Sequence, residues 1–376
     1  MSQGLWVRYG GEPITEAQIE FAARHYTVAL LQPQHAWAAT RLKALNPAIT
    51  VLCYKCLSST RSYETVGPFT SGVSYAEAQQ AEQAGEQWFA RRLDGQLIEW
   101  TGYPGHYQMQ VWSPAYRKRW VENVTAELAA SPFDGVMADN DTYGDYYGLN
   151  LPIQGAHSMS QVHQGLDALI AEAGEALNAR DKLLVPNIAE SRMDPGKWER
   201  HSAYGGGFEE VFLGWSVTDF LDQPSALAQV EQMMGHHSPV ALGQPRPAGV
   251  RRPRLTLLRA ASDGRDAHPN FLAALAAFWV FGAGHWSALS AGDHDAHNGT
   301  PWREELGWDL GFPQGDAVQL SGAWVRSFSG GWAAVNLSDH ASGALAVPVG
   351  LLSAAGAAAP TTLVLPAHSG VLYRFG

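Results

Sequence analysis

Short apolar runs alternate with amphipathic segments from residue 5 to residue 290, and this rhythm restricts the fold more than any other feature. LWVRY (5–9), VALLQP (28–33), ITVLCYK (49–55) and FDGVMAD (133–139) read as strands. KLLVPN (182–187), GGGFEEVFL (205–213), RLTLLRA (254–260) and GHWSALS (284–290) complete a set of eight. Between them lie helical patterns at 14–26, 35–47, 113–131, 158–181, 225–237 and 269–284, with Thr15 and Ser113 as N-caps and Pro114 in a first turn. The long segment after the third strand adds a helix over 75–92 and an aromatic, Gly-rich loop, EWTGYPGHYQMQVW (99–112). Strands alternating with helices imply a parallel sheet, and eight units fit a (β/α)8 TIM barrel, typically ~250 residues. A doubly wound sheet is the competitor. Its G-x-G-x-x-G phosphate loop is missing from the first strand–helix turn, RYGGEPIT.

From about residue 310 the period changes from helical to alternating, with Gly, Ser, Pro and Asp turns. The chain therefore divides into a catalytic barrel over 1–308 and a small antiparallel β-sandwich over 309–376. The 46% apolar and 16% charged composition demands a large core. A net charge of −11 supplies no basic field for nucleic acid. No apolar run is long enough to span a membrane, and the reading is of a soluble protein, secreted or cytoplasmic. The two cysteines, Cys53 and Cys56, stand three apart on a strand and so face opposite sides, which predicts free thiols.

In such a barrel the chemistry gathers at the C-terminal ends of the strands. Those ends deliver Arg8 and Tyr9, Tyr54 and Lys55, Asp139 with Asn140 and Asp141, Asn187, Glu209 and Glu210, and Trp286. Two carboxylate centres on one rim suit glycoside hydrolysis, which places one ionised carboxylate and one protonated carboxyl about the anomeric carbon. If Asp139 points into the mouth, so do Met137 and Gly135, while Val136 and Ala138 face the helices. Asp141 shares that parity one step further out, and Asp134 has the wrong face and end. An Asx-turn is the plain alternative for DND. Glu209 and Glu210 are adjacent, so at most one of them faces the mouth; their apolar setting would raise a buried carboxyl's pKa, as a general acid requires.

Other clusters argue less. HH at 236–237 and HDAH at 294–297 lack metal-site spacing, and no metal or cofactor is implied. There is no G-x-S-x-G elbow. A metal-dependent barrel hydrolase would need histidines where Arg8, Tyr9 and Asn187 stand.

YKCLSSTR after strand three, FDGVMADND at strand four and GGGFEEVF at strand six resemble the hypothetical glycosyl-hydrolase-like family fifteen, known mainly from bacteria. The ending, with LGFPQG, VRSFSGGWAAVNLS and VLPAHSGVLY, is similar too. The resemblance implies a barrel glycosidase with a β-sandwich behind it, acting on a carbohydrate. Asp139 then matches the strand-four acid and Glu210 the strand-six acid, in Glu210-Val211-Phe212. Cys56 departs from the acidic residue that the resemblance leads one to expect after Tyr-Lys.

The reading that results is a glycoside hydrolase with Asp139 as nucleophile or base and Glu210 as acid, Glu209 being the alternative. The analogy with strand-four and strand-six α-glycosidases favours α-linked substrates and retention. Arg8, Tyr54, Lys55, Asn140, Asp141 and Asn187 would bind sugar hydroxyls. Trp100, Tyr103, Tyr107 and Trp112 would offer stacking faces, and Tyr143, Tyr146, Tyr147 and Trp286 would line the cleft. A transglycosylase with the same residues, or a carbohydrate-binding barrel without activity, are the alternatives.

Overall fold

The computed structural model describes residues 4–234, 255–266, 268–282, 287–292 and 297–376. Five parallel strands pair in sequence: β1 (Leu5–Arg8), β2 (Val28–Leu31), β3 (Thr50–Cys56), then, past a small antiparallel pair formed by β4 (Ser59–Arg61) and β5 (His106–Gln108), β6 (Gly135–Asp139) and β7 (Leu183–Pro186). A second parallel sheet runs β8 (Gly206–Phe212), β9 (Leu255–Ala261), β10 (Ser287–Gly292). Parallel bridges Leu184–Gly205 and Asn187–Phe208 join β7 to β8, and Gly4–Leu289 joins β10 to β1. The strand order thus returns to its start.

Alternation sorts the ring's side chains into two cores. Leu5, Val7, Leu30, Leu52, Met137, Val185, Phe208 and Leu257 fill the interior. Trp6, Ala29, Val51, Val136 and Ala138 pack outward against the helices. Two glycines allow neighbouring strands to approach: a Cβ on Gly135 would lie 2.3 Å from the Leu183 carbonyl oxygen, and one on Gly206 2.2 Å from that of Leu255. Cys53 faces the outer core and Cys56 the inner one, both as free thiols.

The helices are α1 (Glu16–His25), α2 (Ala36–Leu45), α3 (Tyr75–Gln83), α4 (Pro114–Ala129), α5 (Met159–Asn178), the short α6 (Lys197–His201), α7 (Gln223–Met234) and α8 (Pro269–Phe281). Thr15 closes a full capping box with Gln18 at the start of α1. The helix expected over 75–92 ends at Gln83, because Gly85 turns left-handed (φ 90°) and stops it. Phe89 and Arg91 instead bridge to Met109 and Leu97.

Beyond the ring, β11 (Val318–Leu320), β12 (Ala323–Phe328), β13 (Gly331–Asn336), β14 (Leu345–Ala346), β15 (Leu351–Leu352), β16 (Thr362–Leu363) and β17 (Ser369–Phe375) are antiparallel. Five of them form one sheet, β11-β12-β13-β17-β15, and β14 pairs with β16. One face, with Ala333, Val335 and Leu372, shares a core with Phe271, Ala274 and Phe278 of α8. The other, with Val325, Trp332 and Ala334, is covered by Leu345, Val347, Leu351 and Leu365. Covered on both sides, α8 is apolar nearly all round, as a buried helix must be.

Candidate active site

The C-terminal ends of the ring strands enclose a cleft of about 430 Å3. Asp139, the last residue of β6, lines it with the inward parity of Met137, and Glu210 of β8 lines it with the parity of Phe208. Four donors meet the Asp139 carboxylate. The Asn140 backbone N–H and Asn187 Nδ2 reach Oδ1, each at 2.9 Å. The Tyr54 hydroxyl at 2.7 Å and Asn140 Nδ2 at 3.1 Å reach Oδ2. With two donors on each oxygen, the group is held in one orientation.

The donors are themselves held. Asn140 adopts a left-handed φ of 69°, a conformation Asn tolerates, and its Oδ1 accepts the Tyr147 hydroxyl at 2.5 Å. Tyr147 stacks on Trp100 with ring centroids 3.8 Å apart. Tyr54 accepts from Arg61 Nη2 at 3.1 Å and stacks on Tyr9. Burial, followed by the charge of Asp139, pushes the Tyr54 and Tyr147 hydroxyls well above their ordinary pKa, so both remain proton donors. His106, on the far wall, is pushed down to about 4, first by burial and then by Arg61, and is neutral near pH 7.

Glu209 faces away from all this. It is wholly buried on the outer side of β8, where its Oε1 accepts the Val211 N–H at 3.1 Å. Burial, reinforced by the charge of Glu210, lifts its pKa to about 8 against the hydrogen bonds from Val211 and Gln229. The raised carboxyl that the apolar GGGFEEVF context foreshadows is therefore Glu209, and it is out of reach of the cleft.

Of the residues proposed from sequence, Tyr54, Trp100, Tyr103, Asn140 and Asn187 do line the cleft. Several others are corrected. Lys55 points outward between β3 and α4, fully buried and ion-paired with Glu127 at 2.7 Å. Arg8 also points outward; its guanidinium binds the Asn298, Glu12 and Pro13 carbonyls. Asp141 is buried behind β6, paired with Lys197 at 3.1 Å and His201 at 2.5 Å, because the left-handed Asn140 reverses the chain before it. Trp112 packs on the outer core, and Tyr143 stacks on His163. Trp100 lines the wall but is only 4% exposed, with Tyr147 stacked on it, so it serves as wall rather than platform. Tyr103 (44% exposed) and Tyr146 (39% exposed) present open ring surface instead. Trp286 lies outside the described residues, as do His236, His237 and the basic, Pro-rich sequence PRPAGVRRPR at 245–254.

Sequence reasoning brought Tyr9 to the rim without giving it a role and passed over Arg61, His106 and Trp215; all four are on the cleft wall. Tyr9 was within reach, since it shares the parity of Val7. Arg61 and His106 enter on the β4–β5 ladder, which carries no periodic signal. Among the described residues, no group of three or more His, Cys, Asp or Glu is placed to hold a metal ion, and no helix is long and apolar enough to cross a membrane.

Two carboxylates at the ends of different ring strands, with aromatic rings around them, suit glycoside hydrolysis, and the family match makes the chain a glycoside hydrolase. The chain belongs to the hypothetical glycosyl hydrolase family 15, whose profile matches residues 43–332. No curated protein sequence matches it. In fold it is similar to an α-amylase from Geobacillus thermoleovorans solved with acarbose, at a TM-score of 0.50 and 10% identity, covering 95% of this chain and 90% of that one. It is likewise similar to the maltogenic α-amylase AmyB of Thermotoga neapolitana, at 0.51 and 9%, over 98% and 96% of the two chains. A cycloalternan-degrading enzyme from Trueperella pyogenes scores 0.50 at 11% identity, over 99% of this chain and 62% of that one. These likenesses establish an α-amylase type of fold, mixed α/β with an added β-sheet region.

Proposed function

We propose that the protein hydrolyses α-glycosidic bonds of an oligo- or polysaccharide with retention of configuration, on a (β/α)8 barrel (1–308) backed by a β-sandwich (309–376). Asp139 is the nucleophile and Glu210 the general acid and base. The observation that carries this reading is the placement of the two carboxylates: both line one cleft, and Asp139 is fixed there by four donors. A nucleophile needs one orientation toward the anomeric carbon; an acid that later acts as base needs access to the leaving oxygen and to water. Tyr103, Tyr146 and Trp215 offer apolar faces to pyranose rings, and Asn187 fixes Asp139 in place of holding a sugar hydroxyl.

The test is sugar release from α- and β-linked oligo- and polysaccharides by the wild type, Asp139→Asn and Glu210→Gln, with the first-formed product anomer read by proton NMR. Release of the α anomer from an α-linked substrate, lost in both variants, is the expected result. Release of the β anomer from an α-linked substrate contradicts retention, and release by Asp139→Asn at the wild-type rate contradicts the role of Asp139.

A further inference from the structure

Among the described residues that line the cleft is a cation, Arg61, that no part of the proposed chemistry uses. Arg61 stands on β4, and its side chain is 12% exposed. Its Nη2 lies 3.1 Å from the Tyr54 hydroxyl oxygen, and its guanidinium sits over the Tyr54 ring, 5.4 Å from the centroid. Its Nη1 is held by Glu64 Oε1 at 3.3 Å and by the Thr70 hydroxyl, while Glu64 Oε2 accepts the Thr70 backbone N–H at 3.1 Å. Glu64 neutralises the charge, so the guanidinium is tied to the wall rather than offered to an anionic ligand.

We infer that Arg61 is a positioning residue for Asp139, acting through Tyr54. This rests on the assignment of Asp139 as nucleophile. A guanidinium has donors and no acceptor. When Nη2 donates to the Tyr54 oxygen, the single hydroxyl proton of Tyr54 cannot return to Arg61 and is directed to Asp139 Oδ2, 2.7 Å away. Without Arg61 the hydroxyl is free to rotate about its C–O bond and to accept from water or a sugar hydroxyl. Asp139 then keeps three fixed donors, and Oδ2 is held by the Asn140 amide alone. The loss falls on the orientation of the nucleophile, and so on the chemical step more than on binding.

The test is a double-mutant cycle with Arg61→Met, Tyr54→Phe and the pair. kcat and KM are measured on p-nitrophenyl α-maltotrioside, or on the best substrate of the sugar-release panel, per folded protein. Each single change is expected to lower kcat about tenfold to a hundredfold with KM within about twofold. The pair is expected to be no slower than the slower single variant, since both remove one relay. Arg61→Lys keeps the charge but cannot span Thr70, Glu64 and Tyr54 together; it covers the case of a poorly folding Met variant and is expected to show the same kcat loss. Multiplicative losses in the pair, or a change confined to KM, would overturn the inference. Asp139→Asn separates the two levels: an inactive Asp139→Asn with a multiplicative cycle rejects the relay alone, whereas an active Asp139→Asn, or no turnover of any glycan by the wild type, rejects the nucleophile assignment and the relay with it.

Discussion

Glu209 and Glu210 are consecutive in the chain and face opposite sides of β8: Glu210 lines the cleft, and Glu209 is sealed under the outer helices. Their substitutions therefore separate. Glu210→Gln is expected to lower kcat about 10²- to 10⁴-fold, the usual worth of a positioned acid–base group. Glu209→Gln is expected to leave kcat within about threefold, because nothing in the roughly 10²-fold or larger acid–base effect passes through it. Steady-state kinetics on one substrate check both.

Glu209 also leaves a mark on stability. Its folded pKa of about 8 lies above its ordinary 4.5, so the protonated group is comfortable in the fold and ionisation is not. Its contribution is fully present below pH 4.5 and is lost as pH rises through about 8. Over that window the wild type is expected to lose stability at up to about 1.4 kcal/mol per pH unit from this group, and Glu209→Gln to lose correspondingly less. Urea midpoints between pH 5 and 8 measure the difference.

His201 lies between Asp141 and Asp167, 2.5 Å from each, with Lys197 on Asp141. Burial alone would lower its pKa, but the charge of Asp141 and the bonds His201 donates to both carboxylates prevail and raise it to about 9. Asp141 is brought down to about 2 against its own burial, by His201 and then Lys197. The His201 contribution is full below pH 6.5 and lost as pH rises through about 9; that of Asp141 is full above pH 3.8 and lost as pH falls through about 2. His201→Gln is expected to be less stable at pH 6 by about 3–5 kcal/mol, as for a broken buried pair. Its stability should also lack the decline between pH 6.5 and 9, which denaturant titration at pH 6 and pH 9 will show.

The Lys55–Glu127 pair is asymmetric, with the lysine side chain 0% and the glutamate 34% exposed. Removing the glutamate strands a buried charge, while removing the lysine leaves a carboxylate that reaches water. Glu127→Gln is expected to cost about 3–5 kcal/mol, and Lys55→Met clearly less. Neither should alter KM, in contrast to a substrate-binding Lys55, and melting curves beside kinetics decide the point.

Tyr103 presents an open ring at the cleft. Tyr103→Ala is expected to raise KM about tenfold, near 1.4 kcal/mol, with kcat little changed. Initial rates over a substrate series measure it.

The parallel ring was legible because eight apolar runs stood at helix-separated intervals, and Thr15 announced its capping box in plain residues. The same two-residue alternation that places Asp139 and Met137 inward puts Tyr9 and Tyr54 in the cleft and sends Arg8 and Lys55 to the helices. Those two misplacements were open to correction from the sequence. Asp141 was not, since its direction follows from the left-handed φ of Asn140, which alternation does not register. Nor was Arg61, which reaches Tyr54 only because β4 and β5 fold back over the ring. Gly85, by contrast, was visible within the pattern read as one long helix, and its turn ends α3.

The most direct measurement is intact-protein and peptide mass spectrometry of Glu210→Gln after incubation with an activated fluorinated α-glycoside. A single glycosyl adduct on the peptide that contains Asp139, absent from Glu210→Gln combined with Asp139→Asn, is the predicted result. Turnover of the glycoside with no adduct, or an adduct on another residue, would contradict the account.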